Sequence, residues 1–155
     1  APWSSAAASR LLYETKKAMP DKTVMVYYLG AIGSGIPSVD GIEPGMFVDY
    51  AVADYGGTAA PMQGMTRKQC SGMSIELNRG SGDSSESTAR SKKEAGYGYY
   101  MFFALGHTTS LVNDFDDYRF QVGRCQSVAR GLYDEELLMP EYYYKKNDAT
   151  RYKLP

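Results

Sequence analysis

Residues 114–133, DFDDYRFQVGRCQSVARGLY, constrain the fold more than any other stretch of this chain. Phe115, Tyr118, Val122, Cys125, Ala129 and Leu132 recur at alternating three- and four-residue steps, while Asp116, Asp117, Arg119, Gln121, Arg124 and Gln126 lie elsewhere on the wheel. That period predicts an amphipathic helix. Asn113 or Asp114 can cap it, and the early aspartates suit the positive end of its dipole. Such a helix must bury its stripe against something, so the chain needs further elements with an apolar face.

Two more helices are expected beside it. Thr66 and Gln69 match the T-x-x-Q pattern of a capping box. Met65 and Cys70 sit where a hydrophobic staple places its partners, and Cys70, Met73 and Leu77 then share a helical face. This predicts a helix over 66–79 that stops at Gly80. Asp83 and Glu86 give a second capping signal, opening a long helix over 84–112 whose apolar second half reads as the buried centre. Residues 3–19 read as an N-terminal helix with a thin stripe, stopped by Pro20. The runs KTVMVYYLG (22–30) and MFVDYAVADY (46–55) read as short strands, the first also compatible with a buried helix. The tail from Pro140, PEYYYKKNDATRYKLP, has no period and reads as an extended arm. The expected fold is therefore α+β and predominantly helical: a three-helix core, one or two short strands, and extended terminal arms. A single globular domain would span 1–139, with a C-terminal arm over 140–155.

Composition excludes several functions. The chain has 155 residues and a net charge of −1, with no block basic enough to neutralise a phosphate backbone, so nucleic acid is excluded as a partner. No run of 18 apolar residues is present, so no transmembrane segment is expected, and membrane association would come only through partners. GAIGSG (30–35) lacks a following Gly-Lys-Ser/Thr, and NDFDDY (113–118) lacks the spacing of a calcium loop. No metal and no cofactor is expected.

Fourteen tyrosines stand against five Phe and one Trp. A phenol joins a large apolar body to a polar tip, which suits protein interfaces. Tyr142, Tyr143, Tyr144 and Tyr152 on the arm are the candidate partner-binding residues. Cys70 and Cys125 each fall on an apolar stripe of a predicted helix, and packing those helices together would allow a disulfide. That bond and the Ala-Pro-Trp start, which reads as a processed terminus, point to an exported, periplasmic or organelle-lumen location. The expected function is a non-enzymatic structural or accessory subunit of a larger assembly, docking on other protein subunits through Tyr-rich arms. A free-standing secreted binding or inhibitor protein is a further alternative.

QCSGM (69–73) supports a different reading. It resembles the DCSGF start of the catalytic helix in NlpC/P60-type cell-wall peptidases, with Gln69 in place of the acid. The resemblance implies a thiol hydrolase with Cys70 as nucleophile and His107, the lone histidine, as base.

Overall fold

A computed structural model describes residues 4–29, 32–33, 35–54, 56–77, 80–104, 115–138, 141–144 and 150–153; for 115–118, 142–144 and 151–152 it describes the backbone alone. The described helices and strands follow in the order α1 (Ser5–Ala18), β1 (Met25–Tyr28), β2 (Tyr50–Ala53), β3 (Ser71–Glu76), α2 (Glu86–Glu94), β4 (Tyr99–Phe103), α3 (Phe115–Tyr133), β5 (Tyr142–Tyr144) and β6 (Arg151–Lys153).

β1 pairs parallel with β2, from Met25 opposite Tyr50 to Tyr28 opposite Ala53. β3 pairs parallel with β4, from Ser71 opposite Tyr99 to Glu76 opposite Phe103, with an irregularity between Ser71 and Ser74. A parallel bridge between Ala51 and Cys70 joins the two pairs. The seam continues through side chains: the Ala53 N–H donates to Ser71 Oγ, and Ser74 Oγ–H donates to the Ala53 carbonyl. Four parallel strands thus lie side by side in sequence order, so their carboxyl ends all emerge along one edge.

One face of this sheet carries the core. Val26, Ala51, Ala53 and Cys70 pack with Ala8 of α1 and with Ile36, Val39, Phe47, Val48, Ala59, Met62 and Met65 from the connections. α1 is capped by Ser4, whose Oγ accepts from the Ala7 N–H at 3.1 Å. It docks by stacking Tyr13 edge-on against Phe47, with centroids 5.7 Å apart. Farther along, Tyr100 and Phe102 of β4 pack against Ala89 of α2 and Val128 and Leu132 of α3. Those two helices meet closely at Gly131, where an added Cβ would lie 2.5 Å from both Ala89 Cβ and the Glu86 carbonyl oxygen.

A half-buried ionic contact joins α1 to the sheet. Asp49, just before β2, accepts from the Val24 N–H at 2.7 Å and from the Lys16 ammonium at 2.9 Å. Burial pushes its carboxyl upward, but the Val24 N–H and the Lys16 charge outweigh it, and the net pKa lies below the ordinary carboxylate value. A depressed folded-state pKa stabilises the fold above the unfolded value, about pH 4. The contribution is lost as pH falls through the folded value. Asp49→Asn is therefore expected to cost about 1–2 kcal/mol at neutral pH. It should also flatten the fall in stability below about pH 4, as read from urea midpoints between acid and neutral pH.

The predominantly helical expectation is corrected by this architecture. The T-x-x-Q capping box forms, with the Thr66 N–H donating to Gln69 Oε1 at 3.0 Å. It caps a single 3-10 turn over Arg67–Gln69, after which Cys70 turns extended and the chain runs on as β3. No helix spans 66–79, because here the backbone finds partners on β2 and β4. The helix over 84–112 ends at Glu94. Gly96 takes a left-handed φ of 90°, and the Tyr97 N–H returns to the Lys92 carbonyl at 3.1 Å, closing the helix before the chain extends as β4. The predicted helices at each end match α1 and α3, and the two predicted strands match β1 and β2.

Candidate functional site

In open and closed parallel sheets flanked by helices, ligands bind at the carboxyl ends of the strands, where loops can vary without disturbing the core. Here that edge holds Tyr27 and Tyr28 at the end of β1, Asp54 after β2, Glu76 at the end of β3 and Phe103 at the end of β4. Tyr27 donates its phenol proton to Asp54 Oδ1, which ties β1 to the β2 exit. Tyr28 donates to the Ala60 carbonyl at 2.6 Å, and burial, then the nearby Cys70, push its pKa up to about 12. It therefore stays a neutral donor at physiological pH.

Glu76 is a buried carboxylate, uncommon for an acid unless it is held. Ser81 Oγ–H donates to its Oε2 at 3.2 Å, and the Glu76 N–H donates to the Ser81 carbonyl. The loop that brings Ser81 back over the strand is locked by Arg124 of α3, which donates to Ser84 Oγ at 2.8 Å and to the Gly82 carbonyl at 2.6 Å. At the β4 exit Ala104 is buried with φ at +60°, a left-handed conformation that costs an alanine about 1–2 kcal/mol. The edge therefore presents two carboxylates, a phenol and an exposed aromatic ring, supported by a neighbouring loop and helix. Such a set can grip a polyhydroxylated ligand through acceptor oxygens and an apolar surface.

A further cleft lies at the other end. It measures about 660 Å³ and opens among Met25, Tyr50, Gln69 and Tyr99, at the amino ends of the strands. Its polar groups Asp49 and Gln69 already serve the fold, Gln69 donating to the Val48 carbonyl at 3.1 Å. Catalytic groups of parallel β/α folds sit at the opposite end, so this cleft is not taken as the site.

The structure places Cys70 away from this edge, at the amino end of β3. Cys70 is fully buried where the 3-10 turn enters β3, its Sγ 3.6 Å from the Thr66 carbonyl. Burial raises its pKa, the reverse of what a nucleophilic thiolate needs. It does not stand at a helix N-terminus, so the thiol-hydrolase reading is corrected. His107 lies outside the described residues. Cys125 is half-buried on α3, and both thiols are free, so the expected disulfide is not formed in this structure. Tyr142–Tyr144 form β5, whose backbone pairs antiparallel with β6 and places Tyr143 opposite Tyr152. Among the described residues no group of three or more His, Cys, Asp or Glu is placed to hold a metal ion, and no helix is long and apolar enough to cross a membrane.

Sequence reasoning missed Tyr27, Asp54 and Glu76. The available signal was position: each stands at or just after the carboxyl end of a β-branched or apolar run, in VMVYY, AVAD and SIEL.

No family model matches the chain. Endo-beta-N-acetylglucosaminidase F1 of Elizabethkingia meningoseptica is 35% identical over 147 residues, which cover 93% of this chain and 42% of that protein. Two crystal structures of Bacteroides thetaiotamicron EndoBT-3987 match 98% of the chain at 43% identity and a TM-score of 0.79. One holds a Man5GlcNAc product and the other a Man9GlcNAc2Asn substrate, and the match covers 34% and 36% of those chains. The chain thus spans about two-fifths of the curated relative and about a third of the solved ones. These matches overturn the expectation of a non-enzymatic structural or assembly subunit: the proteins this chain is similar to are glycan-cleaving enzymes.

Proposed function

We propose that this chain forms part of the active site of an endo-β-N-acetylglucosaminidase acting on mannose-rich glycans joined through N-acetylglucosamine. The observation that carries the proposal is the convergence of Tyr27, Asp54 and Glu76 on the carboxyl edge of a parallel sheet. The 43% identity to a structure holding a Man5GlcNAc product supports it.

Glycoside cleavage passes through a transition state with positive charge on the sugar ring, and carboxyl groups flank the bond that breaks. Asp54 offers a carboxylate whose orientation is set by the Tyr27 phenol. Glu76 offers a second one, set by Ser81. Their role here is to accept hydrogen bonds from glycan hydroxyl or amide groups and to place negative charge beside the reacting sugar. Phe103, exposed at the β4 exit, offers a ring on which the apolar face of a sugar can lie.

Titration of the isotope-labelled chain with Man5GlcNAc tests this reading. Amide shifts are expected at Tyr27, Asp54 and Glu76. Asp54→Asn and Glu76→Gln are each expected to weaken binding about tenfold, about 1.4 kcal/mol. Shifts confined to other residues, or wild-type affinity in both variants, would sink the assignment of the edge.

A further inference from the structure

Ser81 meets Glu76 because the chain turns back on itself after β3. The Glu76 N–H donates to the Ser81 carbonyl at 3.1 Å, and Ser81 Oγ–H returns to Glu76 Oε2 at 3.2 Å, so the two residues form an antiparallel bridge. Gly82, next in the chain, is seated tightly. A Cβ on it would stand 2.6 Å from the Ser74 carbonyl oxygen of β3, and a Cβ on Gly56, beyond β2, would stand 2.9 Å from the Gly82 nitrogen.

The loop's own backbone does not select that seat. Gly80 and Gly82 have φ of +69° and +83°, and glycine has many other conformations open to it. The restraint comes from α3. Arg124 donates from Nε to Ser84 Oγ at 2.8 Å and from Nη2 to the Gly82 carbonyl at 2.6 Å. Its guanidinium lies over the Phe120 ring, 5.6 Å from the centroid, one turn earlier on the same helix, which steadies its direction. Asp83 ties the far end of the loop to the start of α2, accepting from the Ser85 N–H at 2.8 Å and from Thr88 Oγ1–H at 2.6 Å. Both of these Arg124 acceptors belong to the loop, and neither to α2, so these bonds order the loop rather than the packing of the two helices.

We propose that Arg124 is a positioning residue for glycan binding. It does not touch the glycan. It holds 81–84 in place so that the Glu76 carboxylate is already oriented when the ligand arrives, which removes an ordering cost from binding. The inference rests on the reading of this edge as the glycan site. A planar guanidinium spans both loop acceptors with a rigid fork, whereas a lysine ammonium is a single point that satisfies one of them.

The test combines hydrogen exchange with Man5GlcNAc affinity in the wild-type chain and its variants. Without glycan, Arg124→Met is expected to speed exchange of the Glu76 amide by about tenfold, because its acceptor is the Ser81 carbonyl. The Leu77 amide, bonded to the Phe103 carbonyl of β4, should keep its protection. Ser84→Ala removes one acceptor and leaves α3 intact; it should give a smaller increase, and it stands in if Arg124→Met fails to fold. Man5GlcNAc affinity should fall about tenfold in Arg124→Met, with Arg124→Lys in between. In a Glu76→Gln background Arg124→Met should change affinity little. General destabilisation would act alike in both backgrounds, so this non-additivity separates positioning from a merely structural role. Unchanged Glu76 exchange in Arg124→Met and Ser84→Ala would overturn the proposal. So would an equal loss of affinity with and without Glu76→Gln. Exchange is read without ligand, so faster Glu76 exchange in a chain that binds no Man5GlcNAc would overturn the reading of the edge while upholding the hold of Arg124 on Glu76.

Discussion

Phe47→Ala is expected to destabilise the chain by about 3–5 kcal/mol, the range for emptying a buried aromatic site. Phe47 is 2% exposed and sits where α1, the β1–β2 connection and the sheet meet. Its ring takes the edge of Tyr13, so truncation leaves a cavity and also frees α1 from its main aromatic contact. Domains of this size are stable by only about 5–15 kcal/mol, so the variant should show a large fraction unfolded well below the wild-type urea midpoint. Phe47→Leu, which refills most of the volume, should recover roughly half of the loss. A midpoint within experimental error of wild type for Phe47→Ala would mean that α1 is not docked as described.

Gly82→Ala is expected to cost about 2–3 kcal/mol, by two mechanisms together. The backbone there has a φ of +83°, which an L side chain rarely adopts. A Cβ would also lie 2.6 Å from the Ser74 carbonyl oxygen and 2.9 Å from Ile75 Cδ1, both on β3. The neighbouring Gly80 is an internal control, since its φ of +69° carries the same backbone strain but its nearest neighbour is the Arg124 guanidinium at 3.8 Å. Gly80→Ala should therefore cost only the backbone part, about 1 kcal/mol. Because the same loop holds Ser81 against Glu76, Gly82→Ala should also weaken Man5GlcNAc binding, whereas Gly80→Ala should change it little. Equal effects of the two substitutions on stability would show that the loop does not lie against β3.

The pattern of legible and illegible elements has a physical origin. α1 and α3 were readable because each lies between a packed body and solvent, so a helical period survives in the sequence, although α3 buries Gln121 and α1 leaves Leu11 exposed. β1 and β2 were readable from β-branched and aromatic residues bounded by Gly- and Pro-rich connections. β3 was not. In SGMSIE nearly every side chain is buried, so alternation vanishes, and Cys70, Met73 and Leu77 fall at helical spacing by coincidence. Its two serines, Ser71 and Ser74, are buried and satisfied by the backbone of Ala53 on the neighbouring strand. β4 was hidden for a related reason: a strong helix start at Ser85 was extended past Gly96, whose left-handed conformation ends the helix.

The sequence by itself determined the local events: where α1, α2 and α3 start, that Pro20 follows the end of α1, and that no block is basic enough to follow a phosphate backbone. These depend on residues within a turn or two of one another. Only the tertiary structure decided that the capped turn at Thr66 leads into a strand, that four strands lie parallel in sequence order, and that Tyr27, Asp54 and Glu76 share an edge. Those outcomes depend on partners far along the chain, such as Ala51 opposite Cys70 and Ser71 opposite Tyr99. Hydrogen bonds to such distant strands outweigh the small helical preference of a short segment.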